Sequence, residues 1–485
     1  MKILLLNILI ILFLFGFSSQ ALSGSKHRLN DATIKKIDNY LSKSVENGYS
    51  GAILVSENGM KQLNKGYGMA NKENRVYNSP KTIFDIGSNT KQFTATAILL
   101  LVQQGKLSLS DPITKFIRDV PDDKKLITIH HLLNHTAGLI ESIGGDFEHL
   151  PKDDFFNKVL AGKLKYPIGS QYAYSNIGYS LLALIIESIS SQDYESFLQQ
   201  NLFKPSGMYS TGYLLPEWDE TFIANGYARG IINQGSVIQR YRKDNKVSWH
   251  LKGNGGINSS QEDMFLWVQA LKNNTILTAK SFELLTTAHT DFVKKSTSYA
   301  YGWGVNYSAE NTKRLTHNGS NGLFAHSIIW FPNEDLIILF STNAASPETE
   351  KMARTVKNIL FKKDYQAMPI KKNPFLVIFD FIKDNDYQQS DKLSSLVKNK
   401  YSEAFVDPGI LNRIGYMLLG KQQIQWAVEI FKINVELFEN NSNSWDSLGD
   451  AYLANKQKDQ AIASFQKAIE LGSKNTQEKL FKLTH

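Results

Sequence analysis

The sequence predicts an α/β (α+β) fold in which helices flank an antiparallel sheet, followed by an α-helical tail. Two strand-like segments flank Asn58-Gly59, which is a strong hairpin signal. A second strand pair flanks the turn at residues 332–335. The last 80 residues repeat their own apolar pattern every 34 positions, which is typical of paired helices. A length of 485 residues fits two to three domains.

The first half of the chain alternates between helical and strand patterns. Residues 31–46 have apolar side chains on one side of a helix, and residues 51–57 and 61–69 form the predicted hairpin. Helix formers with an apolar face follow at residues 89–101, and Gly105 ends the run. Further helices and strands are predicted at residues 177–189, 261–271, 327–331, 336–341 and 348–360.

The N-terminus predicts export. Lys2 precedes an apolar run that ends at Phe17, and small residues follow at 19–21, so residues 1–21 are interpreted as a secretory signal peptide. The apolar run is shorter than the roughly 20 residues that a membrane span needs. We expect a periplasmic or secreted protein with no stable transmembrane segment after signal removal. Retention of the segment as an anchor stays open.

Composition excludes several kinds of chemistry. The chain contains no cysteine, so disulfides, thiol catalysis and thiolate metal sites are excluded. The net charge of +8 comes from scattered residues, which favours a solvated surface over a nucleic-acid partner. His131 and His135 have the spacing of metal ligands on a helix, but no third ligand accompanies them, so no metal site is expected.

The candidate nucleophile is Ser88, three residues before Lys91. At this spacing both side chains lie on one face of a helical turn, and a buried lysine that loses its charge can accept the serine proton. Ser88 as an ordinary helix cap is the alternative. The same Ser-x-x-Lys spacing also occurs elsewhere, at Ser23/Lys26, Ser395/Lys398 and Ser464/Lys467.

Two further patterns follow Ser88 in chain order. Tyr174-x-Asn176 precedes a strongly apolar helix, and His317-x-Gly319 ends a predicted strand. Taken singly, Tyr174 could be a half-buried aromatic residue, Asn176 a helix cap and His317 a polar residue at a strand end. Their order and their positions at element ends favour a common site. Residues 214–256 are expected to contribute to the same cleft.

With these three patterns, residues 34–360 resemble the serine β-lactamase and penicillin-binding-protein superfamily, most closely its class C-related branch. The resemblance implies an all-helical domain beside the sheet. Tyr174-Ser175-Asn176 replaces Ser-Asp-Asn, as in class C enzymes. His317-Asn318-Gly319 replaces Lys-Thr-Gly and is more similar to peptidases and esterases than to efficient lactamases.

The resemblance also implies roles for the residues. Ser88 would attack a carbonyl and become acylated, with Lys91 and Tyr174 as the other catalytic residues. Asn176, His317, Gly319 and Ser320 would bind substrate, with the backbone N–H groups of Ser88 and Ser320 forming the oxyanion hole. No cofactor and no metal are implied. Small-molecule or peptide substrates that fit are D-amino-acid peptides, esters and β-lactams.

A proton acceptor has to be assigned within this set. Tyrosine has an ordinary pKa of about 10, and a cation at about 4 Å could lower it by roughly three units. We therefore expect Lys91, and a charged His317, to bring Tyr174 into a useful range.

The tail resembles tetratricopeptide repeats. Apolar and small residues at 411, 414, 415, 418, 427 and 431 recur 34 positions later. The expected domains are a hydrolase domain at residues 28–362, a helical connector at 363–405 and two repeats at 406–474. Because two repeats are few, they are expected to lean on the connector or on the hydrolase domain. An unrelated helical pair is the alternative.

Two functions are compatible with the sequence. One is an exported serine hydrolase that works through an acyl-enzyme. The other is a non-catalytic, hydrolase-like scaffold whose repeats recruit a protein partner.

Overall fold

The computed structural model describes residues 29–291, 297–307, 312–362 and 364–485. The predicted signal peptide at residues 1–21 and the predicted domain start at residue 28 lie outside these ranges. An antiparallel sheet flanked by helices, followed by a helical region, confirms the predicted fold class. No helix within the described ranges is both long enough and apolar enough to span a membrane.

The strands are β1 Gly51–Glu57, β2 Met60–Tyr67, β3 Met69–Asn71, β4 Val76–Tyr77, β5 Phe84–Asp85, β6 Tyr227–Ala228, β7 Ile232–Asn233, β8 Asn258–Ser259, β9 Thr290–Asp291, β10 Ser298–Tyr299, β11 Gly304–Tyr307, β12 Lys313–Ser320, β13 Ala325–Phe331 and β14 Leu336–Thr342. Eight of them form one sheet in the order β2-β1-β14-β13-β12-β11-β10-β9. Because β1 pairs with β14, the first and the last strand of this part of the chain lie side by side within the sheet.

The helices are α1 Asp31–Val45, α2 Thr90–Gln103, α3 Ile129–Leu133, α4 Lys152–Ala161, α5 Asn176–Ser190, α6 Tyr194–Leu198, α7 Val237–Asp244, α8 Gln261–Lys272, α9 Ala279–Thr286, α10 Met352–Phe361, α11 Pro374–Asp384, α12 Ser390–Ser395, α13 Pro408–Gly420, α14 Ile424–Leu437, α15 Ser442–Ala454, α16 Lys458–Glu470 and α17 Thr476–Thr484. Every residue of β1, β13 and β14 is buried, because helices cover both faces of the sheet.

Two apolar cores lie on opposite faces of the sheet. Helices α1 and α10 pack on one face around buried residues such as Ile37 and Val356. The larger core on the other face combines α2 and α8 with α3 to α6, the helical part beside the sheet. Helix α2 lies within this second core and is buried from Thr90 to Leu101, polar residues included, rather than presenting a single apolar face as predicted.

The first hairpin differs from its prediction at one end. Asn58 and Gly59 have the positive φ angles of a tight turn, with values of +53° and +74°. The strand predicted at residues 61–69 ends at Tyr67, because Gly68 turns the chain with φ +63°. A Cβ on Gly68 would lie 3.0 Å from the side chain of Ser50, so the turn also brings the two segments into close contact.

The helical tail shares its core with the segment before it. Phe375 and Ile378 of α11 and Leu393 of α12 are buried in one apolar cluster with Leu411 and Phe431 from the following helix pair. This packing agrees with the expectation that the tail leans on the connector. Together the helices bury apolar surface that a single helix pair would leave exposed to solvent.

Candidate active site

Ser88 lies in a 3₁₀ turn, Gly87–Asn89, directly before α2. Gly87 has φ +51°, a conformation that glycine adopts without strain. The end of β12 passes this turn at backbone distance: a Cβ on Gly319 would lie 2.1 Å from the Ile86 carbonyl oxygen and 2.6 Å from the Ser88 nitrogen. A Cβ on Gly87 would lie 2.8 Å from the Ser320 nitrogen. The two glycines therefore bring the backbone nitrogens of Ser88 and Ser320 to one place.

Lys91 is completely buried and has three polar neighbours. Its Nζ lies 3.1 Å from Ser88 Oγ, 2.8 Å from Asn176 Oδ1 and 2.7 Å from the carbonyl oxygen of Asn254. Burial lowers the pKa of Lys91 well below its ordinary value, against a smaller opposing influence of Asp146 and Glu141. A neutral amine has two N–H donors and one lone pair. The two carbonyl oxygens can take the donors and leave the lone pair for the Ser88 hydroxyl.

Tyr174 completes the contacts of Ser88. Its side chain interacts with Ser88, and Lys91 Nζ lies 4.7 Å from the centroid of its ring. Burial raises the pKa of Tyr174 above its ordinary value of 10, and the interaction with Ser88 offsets this only in part. The expectation that Lys91 lowers this pKa is wrong, because desolvation disfavours the charged form of both residues. The assignment of proton acceptor shifts to Lys91.

Asn176 is fixed by its position at the start of α5. Ser175 caps this helix through a bond from the Gly178 N–H, which sets the side chain of Asn176 toward Lys91. Its amide nitrogen lies 3.3 Å from Ser142 Oγ, which orients the oxygen toward the lysine. Asn176 therefore acts as more than a helix cap in this structure.

His317 is buried and uncharged. Burial, followed by the nearby charge of Lys91, lowers the pKa of His317 to about 3. Its Nε2 lies 3.2 Å from the Tyr299 hydroxyl, and its Nδ1 lies 2.9 Å from the carbonyl oxygen of Asn318. A charged His317 was expected to assist Tyr174, and this expectation is also wrong, because burial of the ring disfavours its charged form.

The other Ser-x-x-Lys pairs in the described ranges have surface roles. Lys398 is paired with Glu436 at 2.6 Å, and Lys467 with Glu470 at 2.9 Å. Neither lysine is buried, and Ser395 is exposed. The pair Ser23/Lys26 lies outside the described residues. Burial of the lysine, which the spacing does not reveal, distinguishes the pair at Ser88.

His131 and His135 do not form a pair of metal ligands. Helix α3 ends at Leu133, and His135 has a left-handed backbone with φ +61°. His131 caps α3 by accepting the Thr128 N–H, whereas His135 Nδ1 accepts the Ser175 N–H at 3.1 Å. Among the residues that the structure describes, no group of three potential ligands could hold a metal ion.

Further contacts around the site were not found from the sequence. The Asn254 carbonyl lies in the glycine-rich turn at 253–256, at the end of the segment 214–256 that was expected to contribute to the cleft, and the Gly253 carbonyl accepts a bond from Thr94 at 2.6 Å. The buried Asp85 carboxylate accepts the Gly87 N–H at 2.6 Å and the Asn321 amide at 2.8 Å, joining both sides of the turn. His135 packs against Tyr174 with ring centroids 4.4 Å apart. Only glycine content at 253–256 offered a signal.

The sheet, its flanking helices and this cluster define the class of serine hydrolases to which β-lactamases and penicillin-binding proteins belong. A family model described as Beta-lactamase matches residues 37–360, about two thirds of the chain. The chain belongs to this family.

Individual relatives agree with this placement. The chain is 33% identical to the putative penicillin-binding protein PbpX of Bacillus subtilis over 270 residues, 56% of this chain and 64% of PbpX. The match thus spans less than two thirds of PbpX. This chain is also 27% identical to Protein flp of Staphylococcus aureus over 372 residues, 73% of this chain and 72% of that protein.

Solved structures show the same fold. The octameric penicillin-binding protein homologue from Pyrococcus abyssi has a TM-score of 0.58 at 24% identity, covering 73% of this chain and 81% of that chain. The β-lactamase/D-alanine carboxypeptidase from Pseudomonas syringae has a TM-score of 0.59 at 20% identity, covering 69% and 100%.

Proposed function

We propose that this protein is an exported serine hydrolase that cleaves an amide or ester through an acyl-enzyme on Ser88. The observation that carries the proposal is the buried Lys91, whose nitrogen lies 3.1 Å from Ser88 Oγ and is held by two carbonyl oxygens. A non-catalytic scaffold does not require this arrangement.

The first step is acylation. Neutral Lys91 takes the Ser88 proton as Oγ attacks the substrate carbonyl carbon. The backbone N–H groups of Ser88 and Ser320 stabilise the oxyanion, and each such donor contributes about 3 to 4 kcal/mol in comparable enzymes. Tyr174 donates its proton to the leaving group as the carbon–nitrogen or carbon–oxygen bond breaks, and it regains a proton from Lys91.

Deacylation reverses these roles. Water replaces the leaving group, and its oxygen attacks the acyl carbon while the neutral Lys91 amine takes one of its protons, relayed through the Tyr174 hydroxyl. The bond between the acyl carbon and Ser88 Oγ then breaks, and Oγ takes the proton back from Lys91. Asn176 keeps the Lys91 amine oriented in both steps, and neutral His317 with Gly319 and Ser320 lines the substrate side. The proposed mechanism requires no metal and no cofactor.

The substrate class comes from the geometry and the relatives together. Asn176, at the start of α5, offers a side-chain amide, and the end of β12 offers backbone hydrogen-bonding groups. Both suit a peptide-like substrate. The names of relatives include penicillin-binding proteins and a β-lactamase/D-alanine carboxypeptidase. Peptides that end in D-amino acids and simple esters are therefore the first candidates here, with β-lactams as the third.

A covalent probe tests the assignment. A fluorophosphonate or penicillin-type probe should label the wild type and Ser395→Ala, which removes an exposed serine of the same Ser-x-x-Lys spacing, but not Ser88→Ala. Labelling that persists in Ser88→Ala would refute Ser88 as the nucleophile. Turnover of nitrocefin, a D-Ala-D-Ala peptide and p-nitrophenyl butyrate would then rank the three substrate classes.

We also propose that residues 406–474 are two tetratricopeptide repeats that recruit a protein partner to the hydrolase domain, with residues 28–362 as that domain and 363–405 as the connector. Two equivalent contacts 34 positions apart support the repeat. A Cβ on Gly415 would lie 2.4 Å from the Phe431 ring, and one on Gly449 would lie 2.4 Å from the Phe465 ring. In both helix pairs a glycine thus admits the facing aromatic ring.

Truncation separates docking from catalysis. Because α11 and α12 share a core with the tail, the chain should be cut before Pro374 rather than at residue 406. We expect the truncated protein to keep probe labelling and to lose co-purification of the partner. Loss of labelling in a folded truncated protein would contradict a purely docking role for the tail.

Export is the remaining part of the proposal. Residues 1–21 carry the features of a cleavable signal peptide. The mature N-terminus of protein recovered from the periplasm or medium should lie near residue 22. Recovery of the unprocessed chain from the cytoplasm would contradict export.

A further inference from the structure

A second concave site lies on the other side of β12 from Lys91. It is a cavity of about 480 Å³ between β12, β13 and α10, within the size range of small-ligand sites. Side chains alternate along β12, so Leu315, His317 and Gly319 are buried toward one face while Thr316 and Asn318 line this cavity. We refer to it as the basic groove.

Positive charge dominates the basic groove. Arg314, Lys351, Arg354 and Lys357 line it, with Glu350 as the single acidic residue among its described lining. Glu350 is already bound by the Ser320 hydroxyl at 2.9 Å, and Lys351 is paired with Glu348 at 3.0 Å.

The other three cations of the groove are Arg314, Arg354 and Lys357. Within the described ranges, no carboxylate oxygen lies within 4.0 Å of their charged nitrogens. Like charges gathered in one concavity repel each other unless an anion joins them.

Arg314 also has a hydrogen-bond donor that is not satisfied. Its Nε is buried and has no hydrogen-bond partner among the described residues. A buried guanidinium donor without an acceptor is costly, and arginine forks suit phosphate oxygens. Burial lowers the pKa of Lys357, and the charges of Arg314, Lys362 and Arg354 lower it further, which is the expected result of an uncompensated cluster.

The basic groove and the candidate active site share one strand. The Ser320 backbone nitrogen lies beside the Ser88 turn, while the Ser320 hydroxyl is bonded to Glu350 at the groove. Ser320 thus contacts both the proposed oxyanion hole and the rim of the basic groove.

We propose that the basic groove binds a phosphate group, either as the free ion or as part of a phosphate polymer, through Arg314, Arg354 and Lys357. Three convergent cations, two of them guanidinium groups, match a tetrahedral dianion better than a single planar carboxylate. The bound group would accept a hydrogen bond from Arg314 Nε and reduce the repulsion between the three cations. The proposal does not depend on Ser88 chemistry.

Calorimetric titration of the full chain tests the proposal, with inorganic phosphate and a soluble polyphosphate as probes at constant ionic strength. We expect saturable binding of at least one probe by the wild type. Binding of both points to the phosphate group itself, and binding of polyphosphate alone points to a polymeric ligand; both outcomes support the site. Absence of binding by either probe would overturn it.

A matched pair of variants excludes general surface attraction. Arg354→Gln with Lys357→Gln and the control Arg118→Gln with Lys106→Gln remove the same two charges, the control from exposed positions outside the groove. We expect affinity to fall at least tenfold in the groove variant and less than twofold in the control. Equal losses would overturn the site. Probe labelling of Ser88 should be unchanged in both variants, which also reports that they are folded.

Discussion

The candidate active site and the helical tail are held together in different ways. In the site, Lys91 contacts Asn176 and Asn254, which are 85 and 163 positions away, and Asp85 contacts Asn321 across 236 positions. In the tail, Tyr416 is bonded to Asp450 and Lys479 to Asp446, across 34 and 33 positions.

The two regions also differ in how their ionisable side chains are solvated. Lys91 and His317 are buried, and desolvation favours their neutral forms. Lys479 is partly exposed and paired with two aspartates at 2.8 Å. A buried amine with a lowered pKa can accept a proton during a reaction, whereas solvated ion pairs only adjust stability. The comparison indicates where substitutions should affect chemistry and where they should affect stability alone.

The largest expected effect is on catalysis, and it separates the lysines of two Ser-x-x-Lys pairs. Lys91→Met should lower kcat/KM by about 10³-fold or more, because Ser88 loses its proton acceptor. Lys398→Met, in the surface pair, should leave kcat/KM within twofold. Steady-state kinetics on the best substrate of the panel provides the measurement. A similar loss in both variants would contradict the distinction between the regions.

The pH profile of the wild type extends this prediction. Because burial lowers the pKa of Lys91, kcat/KM should reach its plateau well below pH 10.5, the ordinary value for lysine. A profile that still rises through pH 10 would contradict the neutral amine.

The second effect concerns backbone contact. Gly319→Ala places a Cβ 2.1 Å from the Ile86 carbonyl oxygen and should displace the Ser320 nitrogen, lowering kcat by about 10²-fold, as for loss of one oxyanion donor. Overpacking should also cost about 1 to 3 kcal/mol of stability. Gly420→Ala, with no atom within 4 Å of the new Cβ at the end of α13, is the matched change in the tail. It should leave kcat unchanged, with kinetics and urea unfolding as the measurements.

The third effect is acid destabilisation of the sheet domain. Burial lowers the pKa of His326 to about 3, so between pH 6.5 and pH 3 the unfolded chain binds a proton that the folded chain does not. The free energy of unfolding should therefore fall as pH drops below 6.5, by up to about 1.4 kcal/mol per pH unit for this residue.

His326→Asn should remove that share of the pH dependence. The measurement is the change in the free energy of unfolding between pH 6.5 and pH 4.5 within each variant, which cancels any cost common to both pH values. His485→Asn, at the exposed end of the tail, is the control and should keep the wild-type slope. Equal slopes in wild type and His326→Asn would contradict the buried neutral histidine.

The smallest effect is expected in the tail. Lys479→Met removes two ion pairs at a partly exposed position, each worth about 0 to 1 kcal/mol. Stability should fall by about 1 kcal/mol or less, and high salt should reduce the difference. A loss above about 3 kcal/mol would contradict the small contribution expected of partly exposed ion pairs.

Sequence patterns predicted the architecture well where the physics is local. The Asn58-Gly59 turn, the strands around residues 332–335 and helix α8 depend on neighbouring residues, and they formed within one or two residues of the predictions. The short helix α3 was harder, because His135 takes a left-handed backbone to contact Ser175, 40 positions away.

The chain itself determined the fold class, the order of the three motifs and the 34-residue period of the tail, because periodicity and spacing are properties of neighbouring residues. Only the tertiary structure decided which Ser-x-x-Lys pair of the described ranges has a buried lysine, that Tyr174 keeps its proton, and that a carbonyl at Asn254 holds Lys91. These outcomes depend on desolvation and on partners far apart in the chain, and neither can be read from a single segment.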